Sequence, residues 1–333
     1  MMPERSSRRV LLLIAQWGIS LGALAYALSG VDMGTLWQAL RGYAPSAMLA
    51  VLGVAALDYI CMGFRLRGLL PCGASYTHSM QAVILCTGYN NILPAKAGDV
   101  VKVVYLTKKT CHPLLTIGSV ILWERLLDVL ALLCISLLAY TLADAGQRLV
   151  LPLLCCAGGA GLFYICRRWS LFFHAAYARF FPGRVGPLLQ RLHSNVIDNV
   201  SAGWALRGFA WSLLIWGCYF ASFVIALCSV AGFSLTFPQM LTVFAVTCLG
   251  MAVPSSPGGL GVFEGAMVLS LSWFGVDHSA ALGIALFIHA VHFIPLAVII
   301  LNGLEPLAVF VLHRSKAIVL SLGVGLVLRS VHV

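Results

Sequence analysis

The chain has 333 residues, 61% of them apolar and 10% charged, and 21 Lys and Arg against 11 Asp and Glu give a formal net charge of +10. Soluble domains carry about a quarter charged residues, so this composition, with a mean hydropathy of +0.96, excludes a soluble enzyme or binding module and indicates an integral membrane protein. The basic residues sit beside apolar runs, as orientation signals and contacts to anionic head groups do, which argues against nucleic acid as a partner.

The first apolar run, residues 10–28, follows Arg5, Arg8 and Arg9. A cleaved signal peptide competes, because Ala23-Leu24-Ala25 and Ala25-Tyr26-Ala27 resemble cleavage sites. The run exceeds the roughly 7–15 residues of a signal h-region, so a retained first span is expected. A second span is expected over residues 44–64, closed by Arg65 and Arg67.

The next apolar segment, residues 80–93, is different: it breaks off at Pro94-Ala95-Lys96-Ala97-Gly98-Asp99. A helix of about 15 residues is only ~22 Å long, against a hydrocarbon core of about 30 Å. Lys102, Lys108 and Lys109 follow the break, and full spans are expected over residues 114–142 and 149–166. Arg167, Arg168, Arg179, Arg184, Arg191 and Arg207 mark a polar, partly amphipathic connecting segment, residues 167–207. After a span at 208–230, a second short segment, residues 239–253, ends at Pro254-Ser255-Ser256-Pro257-Gly258-Gly259-Leu260-Gly261, with Glu264 one turn on. The last core span is expected over 279–301. Residues 305–333, interrupted by Arg314 and Lys316, are compatible with a final span, an extension of the preceding helix or an interfacial helix. The eleven Cys lie mostly in apolar runs without a C-x-x-C pair, which argues against a disulfide framework or a zinc site.

With the N-terminus in the cytoplasm, only Arg41 and Arg148 fall outside and Arg125 falls within a span, leaving 18 of the 21 Lys and Arg on the cytoplasmic side. In that topology the first broken segment enters and returns on the cytoplasmic side and the second on the opposite side. The expected fold is therefore an all-α polytopic domain of residues 1–333 with 6–8 transmembrane helices and two re-entrant hairpins in an inverted-topology repeat. Its approximate halves are 1–166 and 208–333, joined by 167–207. Paired interruptions of this kind point to a binding site between the repeats, and so to a transporter.

Asn90-Asn91-Ile92-Leu93-Pro94-Ala95-Lys96-Ala97-Gly98-Asp99 with Lys102 resembles the N-x-x-L-P-x-R-x-G-E-x-x-R signature of the lysylphosphatidylglycerol synthase transmembrane-region family, often called flippase-like proteins. Glu124-Arg125-Leu126-Leu127-Asp128 is similar to its E-R-x-x-D element, and Pro257-Gly258-Gly259-Leu260-Gly261 with Glu264 to its P-G-G-x-G-x-x-E element. Lys96, Asp99 and Lys102 stand where the family more often has Arg, Glu and Arg, and His289 stands about where an Arg is expected in the last core span. The resemblance implies an inner-membrane protein that moves a lipid or lipid-linked molecule between leaflets, without the soluble aminoacyl-transfer domain of some relatives.

Charges at bilayer depth cost at least about 2.5 kcal/mol and normally face a cavity or a partner. Glu124 and Asp128, four apart, share a helix face with Arg125 about 100° away. They are expected either to form a buried salt bridge with a Lys or Arg or to take up a proton. Lys96 and Lys102 are candidates for phosphate contacts beside a half-helix N-terminus. Pro254, Pro257, Gly258, Gly259 and Gly261 interrupt the second helix, Ser255 and Ser256 are candidates to cap the next one or touch a head group, and Glu264 is expected to sense protonation or to pair with Lys96 or Arg125. His289 and His292 share a face and read as hydrogen-bonded core, with no metal or other cofactor expected. Asp58, on a span without motif support, reads as structural. The expected function is a translocase of a lipid or lipid-linked anionic molecule. The alternatives are a membrane-embedded enzyme on a lipid phosphate or glycosyl donor, for which no D-D-x-x-D or His-rich site exists, and a non-catalytic partner in envelope biosynthesis. Membrane lipids are the expected partners, and a homo-oligomer is compatible with the sequence.

Overall fold

The computed structural model describes residues 3–303 except 72–73, 94–96, 144–149, 182, 184, 231–233 and 254. Pro94, Lys96 and Pro254, and the stretch 305–333, lie outside the described residues. Among those described the chain is helical, without strands. The helices are α1 (Pro3–Leu28), α2 (Met33–Arg41), α3 (Pro45–Leu69), α4 (Tyr76–Ile92), α5 (Gly98–Thr110), α6 (Leu114–Ala143) and α7 (Val150–Arg168). They continue with α8 (Ser170–Phe180), α9 (Val185–His193), α10 (Ala202–Cys228), α11 (Phe237–Gly250), α12 (Val262–Ser272) and α13 (His278–Gly303).

Local chemistry sets the starts. Asp32 accepts from the Thr35 N–H at the head of α2, Ser75 from His78 at α4 and Ser201 from Trp204 at α10. Pro45 opens α3, and at α11 the Gln239 side chain reaches back to the Thr236 N–H. Pro45–Leu69, Ala202–Cys228 and His278–Ile299 are long and apolar enough to cross a membrane, and α1 with α2, bent by 92° at the break, makes a fourth candidate. At 30 residues α6 is about 45 Å long, ample for a crossing, but it carries Glu124, Arg125 and Asp128.

The long helices lie where the apolar runs place them, with two differences. Helix α2 has no counterpart in the sequence reading. Helix α3 runs to Leu69, so Arg65 is inside it rather than flanking it. The cause is electrostatic: Arg65 is held by carboxylates on α6, so a charge that would otherwise seek the head groups stays in the protein.

The most extensive helix pair is α3 with α10. Helices α4 and α5 pack as one hairpin, α11 and α12 as another. The first helix of each hairpin also packs on the long helix that follows the other hairpin, α4 on α13 and α11 on α6. Each hairpin has its own apolar core. Leu85, Tyr89, Val104, Leu106, Ile117 and Ile121 fill the one around α4–α5. Phe223, Phe244, Phe263, Met267, Leu271 and Ile284 fill the one around α11–α12. Helix α1 packs on α12, where a Cβ on Gly261 would run into the Ser20 carbonyl.

Candidate functional site

The breaks between α4 and α5 and between α11 and α12 bring their tips together. A Cβ on Gly258 would stand 3.3 Å from the Asn91 carbonyl oxygen, so the second break rests on the end of α4. Each tip is braced by its own residues. The Asn90 side-chain oxygen accepts from the Gly98 N–H at 2.8 Å, capping α5, and Gly98 lies so close to the Cys86 carbonyl that no side chain fits there. In the second hairpin the Glu264 carboxylate accepts from the Gly261 N–H at 2.7 Å, back-capping α12. Ser256 donates its hydroxyl to the Leu260 carbonyl, and its N–H donates to the Ser20 hydroxyl at 2.7 Å. The α12 cap is therefore Glu264, not Ser255 or Ser256.

Two cavities meet where the tips touch. One, of about 270 Å³, lies between α3, α6, α10 and α13, and its polar lining includes Asp58, Tyr59, Asn91, Arg125, Asp128, His289 and His292. The other, of about 490 Å³, lies along the second break and is lined by Gln16, Asn90, Asn91, Arg125, Ser255, Ser256 and Gly259 among others. Asn91, Arg125, Met251 and Gly258 border both. The Asp58 Oδ1, Trp216 Nε1 and His292 Nε2 atoms, all on residues lining the first cavity, are buried without a hydrogen-bond partner among the described residues. Buried polar groups are nearly always satisfied. These three mark the cavity as a place for water or a polar ligand.

The charged residues divide into two sets. Arg65, Lys102, Glu124 and Asp128 form a buried cluster joining α3, α5 and α6. Arg65 reaches Glu124 at 3.3 Å, both oxygens of Asp128, and the Ser212 hydroxyl of α10 at 2.8 Å. Lys102 donates to the other oxygen of Glu124 at 2.5 Å. Two cations meet two anions, so the cluster is neutral when all four are ionised. Glu124 and Asp128 thus have the buried basic partners that their shared face requires, and those partners come from α3 and α5. Lys102 is 5% exposed and tied to Glu124, and it does not border either cavity.

Arg125, one position along α6, points the other way. It engages Asp99 through two nitrogens, with the Cys86 thiol also donating to Asp99 at 3.1 Å, yet 48% of its side chain stays exposed. Among the described residues it is the Lys or Arg that borders both cavities. Glu264 pairs at 2.5 Å with His289 Nδ1, while His289 Nε2 lies 3.1 Å from the Gly258 carbonyl. Both nitrogens of His289 are thereby engaged, and the ring fastens α13 to α12 and to the tip of the second hairpin.

Of the residues marked by the motifs, Asn90, Asn91, Arg125, Asp128, Ser255, Ser256, Pro257, Gly258, Gly259 and His289 border the cavities. Gly98, Asp99, Gly261 and Glu264 brace them, and Lys102 and Glu124 lie in the buried cluster. Sequence reading missed Arg65, taken as a flanking charge, and the cavity-facing role of Asp58. Both sit on α3 seven residues apart, a spacing that returns them to one face, and that was the available signal.

The family described as Lysylphosphatidylglycerol synthase TM region matches residues 13–300, and the chain belongs to it. No curated protein matches the chain.

Proposed function

We propose that this member of the lysylphosphatidylglycerol synthase TM-region family is a translocase that moves a lipid or lipid-linked anionic molecule between leaflets, and not an enzyme. One observation carries the reading: two broken helices meet tip to tip beside a half-exposed guanidinium, Arg125, that borders the cavities on both sides. Arg125 is eleven residues into α6, about 16 Å along its axis, roughly half the thickness of a hydrocarbon core. A cation at that depth with a cavity around it is a functional feature by default. An anionic head group would exchange with Asp99 for the guanidinium fork, pass between the tips past Asn91 and Ser255, and leave its chains in lipid. Glu264 and His289 would hold the second tip in place, and Asp58 and His292 would hydrate the path.

The packing supports an inverted-topology repeat of α3–α6 and α10–α13, since α4 on α13 mirrors α11 on α6. In this reading α1, α3, α6, α7, α10 and α13 span the bilayer and the hairpins are re-entrant from opposite sides. The N-terminus lies in the cytoplasm of a bacterial-type inner membrane. Burial of Arg65 and Lys102 removes two flanking charges from that count, which leaves 16 of 21 and the orientation unchanged.

The test is leaflet exchange of fluorescent phospholipids and of an isoprenoid phosphate in proteoliposomes, with and without a proton gradient. Wild type is compared with Arg125→Gln, Lys96→Ala and Glu264→Gln, each verified as folded. Exchange by wild type that Arg125→Gln abolishes supports a translocase with this groove. Undiminished exchange in Arg125→Gln refutes the groove, and no exchange of any lipid by folded wild type refutes the translocase.

A further inference from the structure

The segment between α7 and α10 carries a cluster that the groove does not use. His174 of α8, His193 at the end of α9 and Asp198 of the turn that follows offer three ligand atoms within 4.8 Å of one another. We propose that these residues form a binding site for a borderline divalent cation of the zinc type, clipping α8 to the chain that leads into α10.

The local fold builds the cluster. Residues Ser194–Asp198 form one π-helical turn, with the Asn199 N–H bonded to the Ser194 carbonyl at 2.9 Å. In an α-helix a residue five positions on lies about 140° around the axis, facing away. The wider turn brings Asp198 back beside His193, and π turns of this kind recur at functional sites. Helix α8 supplies His174 from the other side, with Gln190 donating to the His174 carbonyl at 2.9 Å to fix the approach of α9.

His193 is the group that points to a ligand. Its side chain is 7% exposed and its Nε2 atom has no hydrogen-bond partner among the described residues. The nearest acceptor, Asp198 Oδ1, is 3.7 Å away, too far for a hydrogen bond. On the other side of the ring, Nδ1 lies 3.4 Å from the Tyr177 hydroxyl. A proton on Nδ1 donated to that hydroxyl leaves the Nε2 lone pair facing a carboxylate, an arrangement that a cation between them resolves. Metal-bound histidines are oriented in the same way, by a hydrogen bond from the other ring nitrogen.

The distances suit the ion. Ligands held at about 2.0–2.1 Å in a tetrahedron stand about 3.3 Å apart. His174 Nε2 to Asp198 Oδ2 is 3.0 Å and His193 Nε2 to Asp198 Oδ1 is 3.7 Å, on either side of that spacing. Closing the widest gap, at most 4.8 Å, asks for a movement of about 1.5 Å. Two imidazoles and one carboxylate favour zinc over magnesium or calcium, and the fourth position is left to water or to the Ser194 hydroxyl, 3.5 Å from His174 Nε2.

The test uses the full chain in nanodiscs, purified without a histidine tag and stripped with a chelator. Zinc chloride is titrated against a chromophoric competitor, and cobalt(II) chloride is followed by its visible absorption. One zinc per chain with submicromolar affinity is expected, together with the intense visible bands of tetrahedral cobalt. His193→Ala and the near-isosteric Asp198→Asn should each weaken binding by more than the 10–100-fold typical of losing an outer partner. His78→Ala, on α4, should leave it unchanged. Equal zinc affinity in wild type, His193→Ala and Asp198→Asn overturns the site, and so does a wild-type protein without a saturable site. Should both variants prove misfolded, the wild-type cobalt spectrum decides, because an octahedral spectrum overturns the proposal.

Discussion

Arg65 is the residue whose removal the structure makes most costly. It is 5% exposed and holds Glu124, Asp128 and Ser212 from three directions, while Lys102 neutralises the second negative charge. Arg65→Met keeps much of the volume and leaves one net negative charge in a buried site. Breaking a buried ion pair in this way costs about 3–5 kcal/mol, two to three and a half orders of magnitude in the folding equilibrium. Arg65→Lys retains the charge, but one ammonium cannot serve both carboxylates and Ser212, so the loss should be about that of one charge-assisted hydrogen bond, 1.5–3 kcal/mol. Arg65→Met with Asp128→Asn restores neutrality and should recover more than half of the loss. The assay is reversible SDS unfolding in mixed micelles, followed by the fluorescence of the eight tryptophans. The reasoning fails if Arg65→Met lies within about 1 kcal/mol of wild type, the range of an exposed ion pair, or if the double variant is no more stable than the single one.

Three further outcomes are expected. Gly261 has φ 86° and lies against the Ser20 carbonyl, so Gly261→Ala should cost more than the roughly 1–2 kcal/mol of left-handed backbone alone and loosen α1 from α12, measurable by cysteine cross-linking between those helices. Ser20→Ala removes the acceptor of the buried Ser256 N–H and should destabilise by about 1–3 kcal/mol in the same unfolding assay; a neutral result would mean that the N–H finds another partner. Burial lowers the His193 pKa, outweighing the pull of the Asp198 carboxylate. The folded state therefore binds fewer protons than the unfolded one, and the metal-free α8–α9 segment should be most stable above about pH 6.5 and lose stability as pH falls. The protection of residues 185–199 from hydrogen exchange in chelator, corrected for the slower intrinsic exchange at lower pH, should fall on acidification, and an opening free energy independent of pH would contradict the assignment.

The two breaks, the long helices and the motif charges are all legible in the sequence, because each rests on a local rule. A run of apolar residues has a length, and Pro with Gly interrupts a helix wherever it occurs. Glu124 and Asp128 are equally legible as a pair, since four residues return a helix to one face. Their partners are not. Arg65 and Arg67 look alike beside an apolar run, and only the approach of α6 to α3 makes one of them a buried counter-ion. Asp58 reads as an isolated charge because the cavity it lines is walled by α6, α10 and α13. His289 stands out as a departure from a motif, but its pairing with Glu264 depends on how α13 packs on α12.

By itself, then, the sequence determined a membrane protein of long helices with two charged interruptions, because hydropathy and helix breaking act over a few neighbouring residues. The tertiary structure decided that the interruptions meet at Asn91 and Gly258 and that Arg125 faces the cavities while Lys102 is buried. It also decided that His174, His193 and Asp198 converge across a π turn. Each of these is a contact between segments far apart in the chain. In such contacts the partner of a charge is chosen by packing and desolvation, not by the spacing of residues along one helix.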